Sequence, residues 1–251
     1  MYIKAKINLK VFNSADELYD FAANIFITEV KTNPQVILGL ATGSTPIPLY
    51  EKMVNDYKLN KTDYSQVTTF NLDEYVGLSP EHHQSYNFFM NQVLFKHINI
   101  KPDNIYIPLG IATNLQEECQ RYHNLVLNNQ IDIQLLGLGS NGHIAFNEPN
   151  TSFDSVTQIV ELTEETRLAN SRFFDNIKDV PTHAITMGLL DIMNAKTIIL
   201  IALGKQKAQA VYDMLHGEVS EKVPASILQK HENVLILLDK EAARKLNDKI
   251  K

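Results

Sequence analysis

Short apolar runs alternate along this chain with stretches in which apolar residues recur every three or four positions, so strands alternate with helices over most of its length. Ser14-Ala15-Asp16-Glu17 reads as a capping box, and Leu18, Phe21, Ala22 and Ile25 follow at helical spacing. Residues 36–40 read as a buried strand, with a helix from Pro46 onward. Residues 67–72 form a second strand in this reading. Asn114 then caps a helix with Leu115, Cys119, Tyr122 and Val126 on its apolar face. Residues 131–136, 184–187 and 197–203 read as further strands. Ala208, Val211, Tyr212 and Leu215 stripe the next helix, which Gly217 ends. Residues 234–238 are a last strand before a short charged helix. This alternation predicts an α/β fold with a largely parallel sheet, whose ligands sit at the carboxyl ends of the strands.

Composition narrows the picture. The 251 residues are 44% hydrophobic and 21% charged, ordinary for a globular protein and enough for a sizeable core. With no internal repeat, low-complexity tract or Pro/Gly/Ser linker, one domain over residues 1–251 is expected. The single cysteine, Cys119, allows no internal disulfide and fits a reducing compartment. The opening MYIKAKINLK lacks the apolar stretch of a secretory signal, and no apolar run approaches the roughly 20 residues of a membrane span. A cytoplasmic protein without a membrane partner is expected. The formal net charge of −6 argues against nucleic acid as a partner but not against a small anion held by local basic groups.

The predicted strand ends carry the candidate chemistry. The first is Leu40-Ala41-Thr42-Gly43-Ser44-Thr45-Pro46. Gly43 admits an unusual backbone angle, Ser44 and Thr45 offer hydroxyls, and the helix start beyond them presents N–H groups to an anion. It reads equally as a plain capped helix start, and it is not a Walker loop. The second is Thr69-Phe70-Asn71-Leu72-Asp73-Glu74, with two carboxylates after an apolar strand. A desolvated carboxylate there becomes a usable base; a solvated loop is the plainer alternative. The third runs from Leu136 to Pro149. Gly137, Gly139 and Gly142 match GxGxxG, but Asn147 and Pro149 interrupt the long helix a dinucleotide fingerprint must open. The alternative is a glycine loop with His143 and Glu148 as a proton-transfer pair. The fourth, Gly204-Lys205-Gln206-Lys207-Ala208, places lysines at a helix start, where an anion would reconcile them with the helix dipole. Arg172, flanked by aromatics in Asn170-Ser171-Arg172-Phe173-Phe174-Asp175, suits a phosphate or a surface ion pair. His82 and His83 lack the spacing of a chelating pair, and Ser85 beside them reads as a helix start, so no metal site is expected.

Taken together, LATGSTP, TFNLDEYVGL, GLGSNGHIAFNEP, ANSRFFD and LGKQKA resemble the glucosamine-6-phosphate deaminase family, in order and across most of the chain. The resemblance implies a Rossmann-like, mainly parallel sheet with helices on both faces, and neither metal nor organic cofactor. It implies that Asp73 is the base for enolisation and that Asn141, His143 and Glu148 form the ring-opening group. Gly43, Ser44, Thr45, Arg172 and Lys207 correspond to the phosphate cradle, and the partner is an amino-sugar phosphate. Some members carry an aspartate where this chain has Asn141. Allosteric, hexameric members carry cations on the strand past the FNEP loop and a longer C-terminal tail. Here Gln158 and Val160 stand at those positions, Glu161 adds a negative charge, and few residues follow the last predicted helix up to Lys251. A monomer or small homo-oligomer without effector activation is expected.

Three rivals separate on specific features. A 6-phosphogluconolactonase shares the fold family but needs no carbon-2 base, so Asp73 favours the deaminase. A sugar-phosphate sensor attached to a DNA reader finds no helix-turn-helix segment before the strand at Val36. A dehydrogenase needs the nicotinamide site that the third segment does not provide.

Overall fold

A computed structural model of the chain describes residues 6–171, 174 and 176–246. In chain order the elements are β1 (Lys6–Phe12), α1 (Ala15–Thr32), β2 (Ile37–Leu40), α2 (Ile47–Asn60), β3 (Thr68–Asn71), β4 (Asp73–Tyr75), α3 (Tyr86–Val93), β5 (Ile105–Tyr106), α4 (Leu115–Asn128) and β6 (Ile133–Leu136). They continue with β7 (Gln158–Glu161), α5 (Glu164–Asn170), β8 (His183–Thr186), α6 (Leu189–Met193), β9 (Thr197–Ala202), α7 (Ala208–His216), β10 (Asn233–Asp239) and α8 (Lys240–Ala243). Among the described residues, a parallel sheet of seven strands runs in the order β1-β10-β9-β6-β2-β3-β5, flanked by helices. A second, antiparallel sheet of three strands has the order β4-β8-β7.

The predicted strands at the centre of the large sheet are all present. Helices cover the sheet, so the central strands have no polar face: Ile198, Ile199 and Leu200 of β9 are sealed from solvent, as are Ile236, Leu237 and Leu238 of β10. The caps also form as the sequence predicts. Ser14 Oγ accepts from Glu17 N at 3.2 Å, and Glu17 reaches back to Asn13 N at 3.3 Å. Asn114 Oδ1 accepts from Gln116 N and Glu117 N. Ser85 Oγ accepts from Phe88 N at 3.0 Å, making it the start of α3.

Four readings shift. The buried stripe of α1 is Leu18, Tyr19, Ala22, Ala23, Phe26 and Val30; Phe21 and Ile25 lie at its half-buried margin. On α7, Tyr212 and Leu215 are likewise half-buried, while Ala210 and Met214 complete the core face. Helix α2 begins at Ile47, with Pro46 just ahead of it. The run 184–187 belongs to the small sheet rather than the parallel one. That sheet depends on a change of direction at Leu72, whose N–H bonds Leu40 O in the large sheet at 3.2 Å while its carbonyl accepts from Met187 N at 2.7 Å. The chain therefore leaves β3, turns through one residue and enters β4 at Asp73.

Candidate active site

The strand order gathers the predicted segments. β9, β6, β2 and β3 are consecutive and parallel, so their carboxyl ends open on one side of the sheet. Those ends lead respectively to Lys207, to the 137–149 loop, to Gly43-Ser44-Thr45, and to Asp73. Successive connections leave β2 and β6 in opposite directions, which makes the crevice between them the topological switch point where such sheets bind ligands.

The loop after β2 is a turn with Gly43 at φ +90°, a left-handed conformation that suits glycine. Two tyrosines fasten it. Tyr50 Oη donates to Ala41 O and Tyr19 Oη donates to Thr45 O, each at 2.6 Å. Burial pushes the Tyr19 phenol up to about 12, with Asp239 adding to the shift, so it stays a neutral donor. Pro46, ahead of α2, makes no side-chain capping bond to the helix start.

Asp73 is 6% exposed. Burial pushes its carboxyl up to about 7, the neighbouring Glu74 pushes the same way, and the Thr42 hydroxyl at 3.4 Å opposes them. A carboxyl balanced near neutrality can take up and return a proton. Burial raises Glu74 as well, to about 7, against the pull of three backbone N–H groups. Those donors favour the charged form of Glu74, whereas Asp73 has the Thr42 hydroxyl at 3.4 Å as its one opposing hydrogen bond.

The 137–149 loop opens no helix. It folds as tight turns, with Gly142 N bonding Gly139 O, Gly139 N bonding His143 O at 2.9 Å, and a bridge between Ile144 and Asn147. The dinucleotide reading fails on this geometry, as the interruption at Asn147 and Pro149 predicts. Gly139 is required by close approach: a Cβ there would lie 2.5 Å from the His143 ring carbons. Buried Asn147 braces the loop by donating to Ile144 O and Met187 O.

Glu148 is the hub of the site. Its Oε2 accepts from Asn141 Nδ2 at 2.7 Å and lies 3.4 Å from His143 Nδ1, an ion-pair approach rather than a formed hydrogen bond. Its Oε1 accepts from the Thr166 hydroxyl of α5. Burial pushes Glu148 up, but His143, Thr166 and Asn141 together pull it down to about 2, so it is a carboxylate at any working pH. Asn141 also accepts from His143 N at 3.2 Å. The amide thus bridges loop and carboxylate, where an aspartate would add a second negative charge.

Lys207 is half-buried at the end of β9, and Lys205 is exposed. Both lie in a 3-10 turn ahead of α7, and Gly204 N is anchored on both Asp239 oxygens at 3.0 Å. Arg172 lies outside the described residues. His82 and His83 are exposed and engaged locally: His82 Nδ1 accepts from Gln84 N, and the His83 ring sits edge-on to Phe88. The described residues contain no group of three or more His, Cys, Asp or Glu able to hold a metal. None of their helices is long and apolar enough to cross a membrane.

Sequence reasoning missed Thr42, Tyr86 and Thr166. Thr166 had a signal, because Thr163 caps α5 by accepting from Thr166 N at 3.2 Å, a polar start followed by a helical pattern. Thr42 and Tyr86 had none, since only the fold brings them beside Asp73.

An α/β sheet carrying a buried acid, an acid-braced histidine and a helix start at adjoining strand ends defines a class of enzyme that moves protons on an anionic substrate. Residues 13–237 match the model of glucosamine-6-phosphate isomerases/6-phosphogluconolactonase, and the chain belongs to that family. A glucosamine-6-phosphate deaminase of Halalkalibacterium halodurans is 50% identical over 232 residues, 92% of this chain and 94% of that one. One of Clostridium botulinum is 48% identical over 97% of this chain and 98% of its own. The solved structure of a monomeric glucosamine-6-phosphate deaminase matches with a TM-score of 0.91 at 45% identity, covering 95% of this chain and 99% of that one. A 6-phosphogluconolactonase from Thermotoga maritima shares the fold, with a TM-score of 0.74 at 19% identity over 94% of this chain and 100% of that one.

Proposed function

We propose that this enzyme converts glucosamine 6-phosphate and water to fructose 6-phosphate and ammonia. The observation that carries the reading is the pairing of two proton-transfer groups at adjoining strand ends: Asp73, buried and balanced near neutrality, and His143, held by a permanently ionised Glu148. A lactone hydrolase has no use for the first, and the relatives sharing about half of their residues with this chain are deaminases.

The residues divide the work as follows. His143 moves a proton between the ring oxygen and the anomeric hydroxyl, with Glu148 beside the imidazole and Asn141 tying Glu148 to the backbone N–H of His143. This opens the ring to the aldehyde. Carbon 2 is now acidic because the carbonyl accepts the electron pair, and Asp73 removes its proton. Returning a proton to carbon 1 gives the ketimine, whose carbon–nitrogen bond is broken by water to release ammonia. Gly43, Ser44, Thr45, Lys207 and Arg172 hold the phosphate, remote from the reacting carbons, so that its binding energy positions the substrate. The chemistry draws on no metal or organic cofactor. Ammonia and fructose 6-phosphate appearing in equal amounts from glucosamine 6-phosphate test the reading, and the absence of ammonia would end it.

Lys207→Ala and Arg172→Ala should chiefly raise KM, since phosphate contacts are made in ground and transition state alike. A charged hydrogen-bonding partner is worth about 1.5–3 kcal/mol, so a rise of roughly 10- to 150-fold is expected. An unchanged KM, and unchanged inhibition by inorganic phosphate, would place that residue outside the cradle.

Saturation should be hyperbolic in a monomer or small homo-oligomer, with no activation by N-acetylglucosamine 6-phosphate. Strand β7 supports this: Gln158, Ile159 and Val160 are half-buried, and the exposed Glu161 would repel a second phosphate. Initial rates with and without the acetylated compound decide it; a sigmoidal curve made hyperbolic by that compound is the contrary result.

A further inference from the structure

The proposed chemistry leaves unused the buried carboxylate next to the base. Glu74 is 2% exposed and directly follows Asp73 in β4. Successive strand residues point to opposite faces, so it does not share the space into which Asp73 projects. Its oxygens are instead committed to backbone. Oε1 accepts from Tyr75 N at 2.8 Å and from Tyr86 N at 2.9 Å, and Oε2 accepts from Asn87 N at 2.9 Å. Tyr86 and Asn87 open helix α3, so the side chain occupies the place that an anion takes at a helix start, on donors the helix itself leaves unpaired. The far side is closed by Gly110, where an added Cβ would meet Tyr75 O at 1.9 Å and Glu74 Cγ at 3.5 Å.

This anchoring shapes the surroundings of Asp73. With its backbone tied to Glu74, Tyr86 lays its ring against Tyr75 at 4.7 Å between centroids and brings its hydroxyl 3.2 Å from that of Tyr75. The same hydroxyl faces Thr42 and the Asp73 carboxyl. We propose that Glu74 is a positioning residue for Asp73: held on three backbone N–H groups, it locks β4 to α3 around the base and sets a second carboxylate beside it. The inference rests on Asp73 being the carbon-2 base.

The groups facing Asp73 are Thr42 from the loop after β2, Tyr86 from α3, Tyr122 from α4 and Glu74 from its own strand. Both phenols are pushed well above their ordinary range by burial and stay neutral, so of these four only Glu74 can bring a charge to Asp73. Glu74 itself faces the backbone of Tyr75, Tyr86 and Asn87. Removing its charge lets Asp73 ionise more easily, whereas a merely structural anchor would alter rate or stability without moving a titration.

The test is the pH profile of carbon-2 proton exchange in deuterated solvent for wild type, Glu74→Gln and Glu74→Asp, with Asp73→Asn alongside. In Glu74→Gln the acid limb should move down by about 1–2 pH units, the scale of one like charge at close range in a protein. Glu74→Asp, which keeps the charge, should leave the limb near its wild-type position. An unmoved limb in folded Glu74→Gln overturns the inference, provided Asp73→Asn has lost exchange. Retained exchange in Asp73→Asn instead overturns the assignment of the base. Should Glu74→Gln not fold, carboxyl NMR on wild-type enzyme labelled at glutamate decides. Glu74 should stay ionised while Asp73 takes up its proton, and a Glu74 carboxyl that protonates first refutes the inference.

Discussion

Asp73→Asn should lower turnover of glucosamine 6-phosphate by roughly 10²–10⁴, the usual worth of a positioned general base. The substitution keeps the shape and can still meet the Thr42 hydroxyl, so the loss reports on proton transfer rather than packing. Binding of a phosphate-bearing inhibitor should change little, because the residues proposed for the cradle follow other strand ends. Carbon-2 exchange with deuterated solvent isolates the step. In the wild type it should fall as pH drops through about 7, since burial and Glu74 raise the Asp73 pKa and the protonated carboxyl cannot accept. A base whose pKa is raised is silent below that value and active above it. Exchange at the wild-type rate in the variant would remove Asp73 from the role.

The parts of the site legible in the sequence are those whose chemistry is written locally. A glycine loop broken by Asn147 and Pro149 cannot open a helix, and the structure turns there as that pattern requires. The capped helices carry periodicity over several turns and the central strands of the parallel sheet stand out as short apolar runs, and these too were legible. The small antiparallel sheet was legible in part: the run 184–187 reads as a strand and is β8, but its place in a separate sheet does not show, and β4, with three residues, and β7 carry no run long enough to mark them. Their pairing is also set by hydrogen bonds to Leu72 and His183 from distant segments. Edge strand β1 does alternate, Lys6, Asn8 and Lys10 against Ile7, Leu9 and Val11, but Leu9 and Val11 are exposed, so the alternation does not mark a buried face and the strand is absent from the elements the pattern predicts. Glu74 illustrates the same limit: two adjacent carboxylates look alike in sequence. Only the N–H groups of Tyr86 and Asn87, brought in by α3, distinguish the anchored one from the one free to accept a proton.

His143→Gln should cost a further roughly 10²–10⁴ in turnover, the range expected for loss of a positioned acid–base group. The imidazole is 24% exposed, open enough to meet a ring oxygen, while Glu148 behind it is 14% exposed and ionised. An ionised partner stabilises the imidazolium that exists after His143 takes the proton of the anomeric hydroxyl and before it delivers that proton to the ring oxygen, whose bond to carbon 1 breaks. Geometry can be separated from chemistry with Gly139→Ala, which removes no titratable group. The new Cβ would fall 2.5 Å from the ring carbons of His143, so the imidazole must leave its present place. A displacement of about 1 Å in a catalytic group costs on the order of 10²-fold, and that loss is expected here. Because His143 acts before Asp73, both variants should recover towards wild-type rates on an aldehyde analogue lacking the hydroxyls that close the ring. The acid limb governed by Asp73 should also stay where it is. Failure of the open-chain analogue to restore either variant would show that His143 serves a later step than ring opening, and near-normal turnover of His143→Gln on the natural substrate would exclude it from the chemistry.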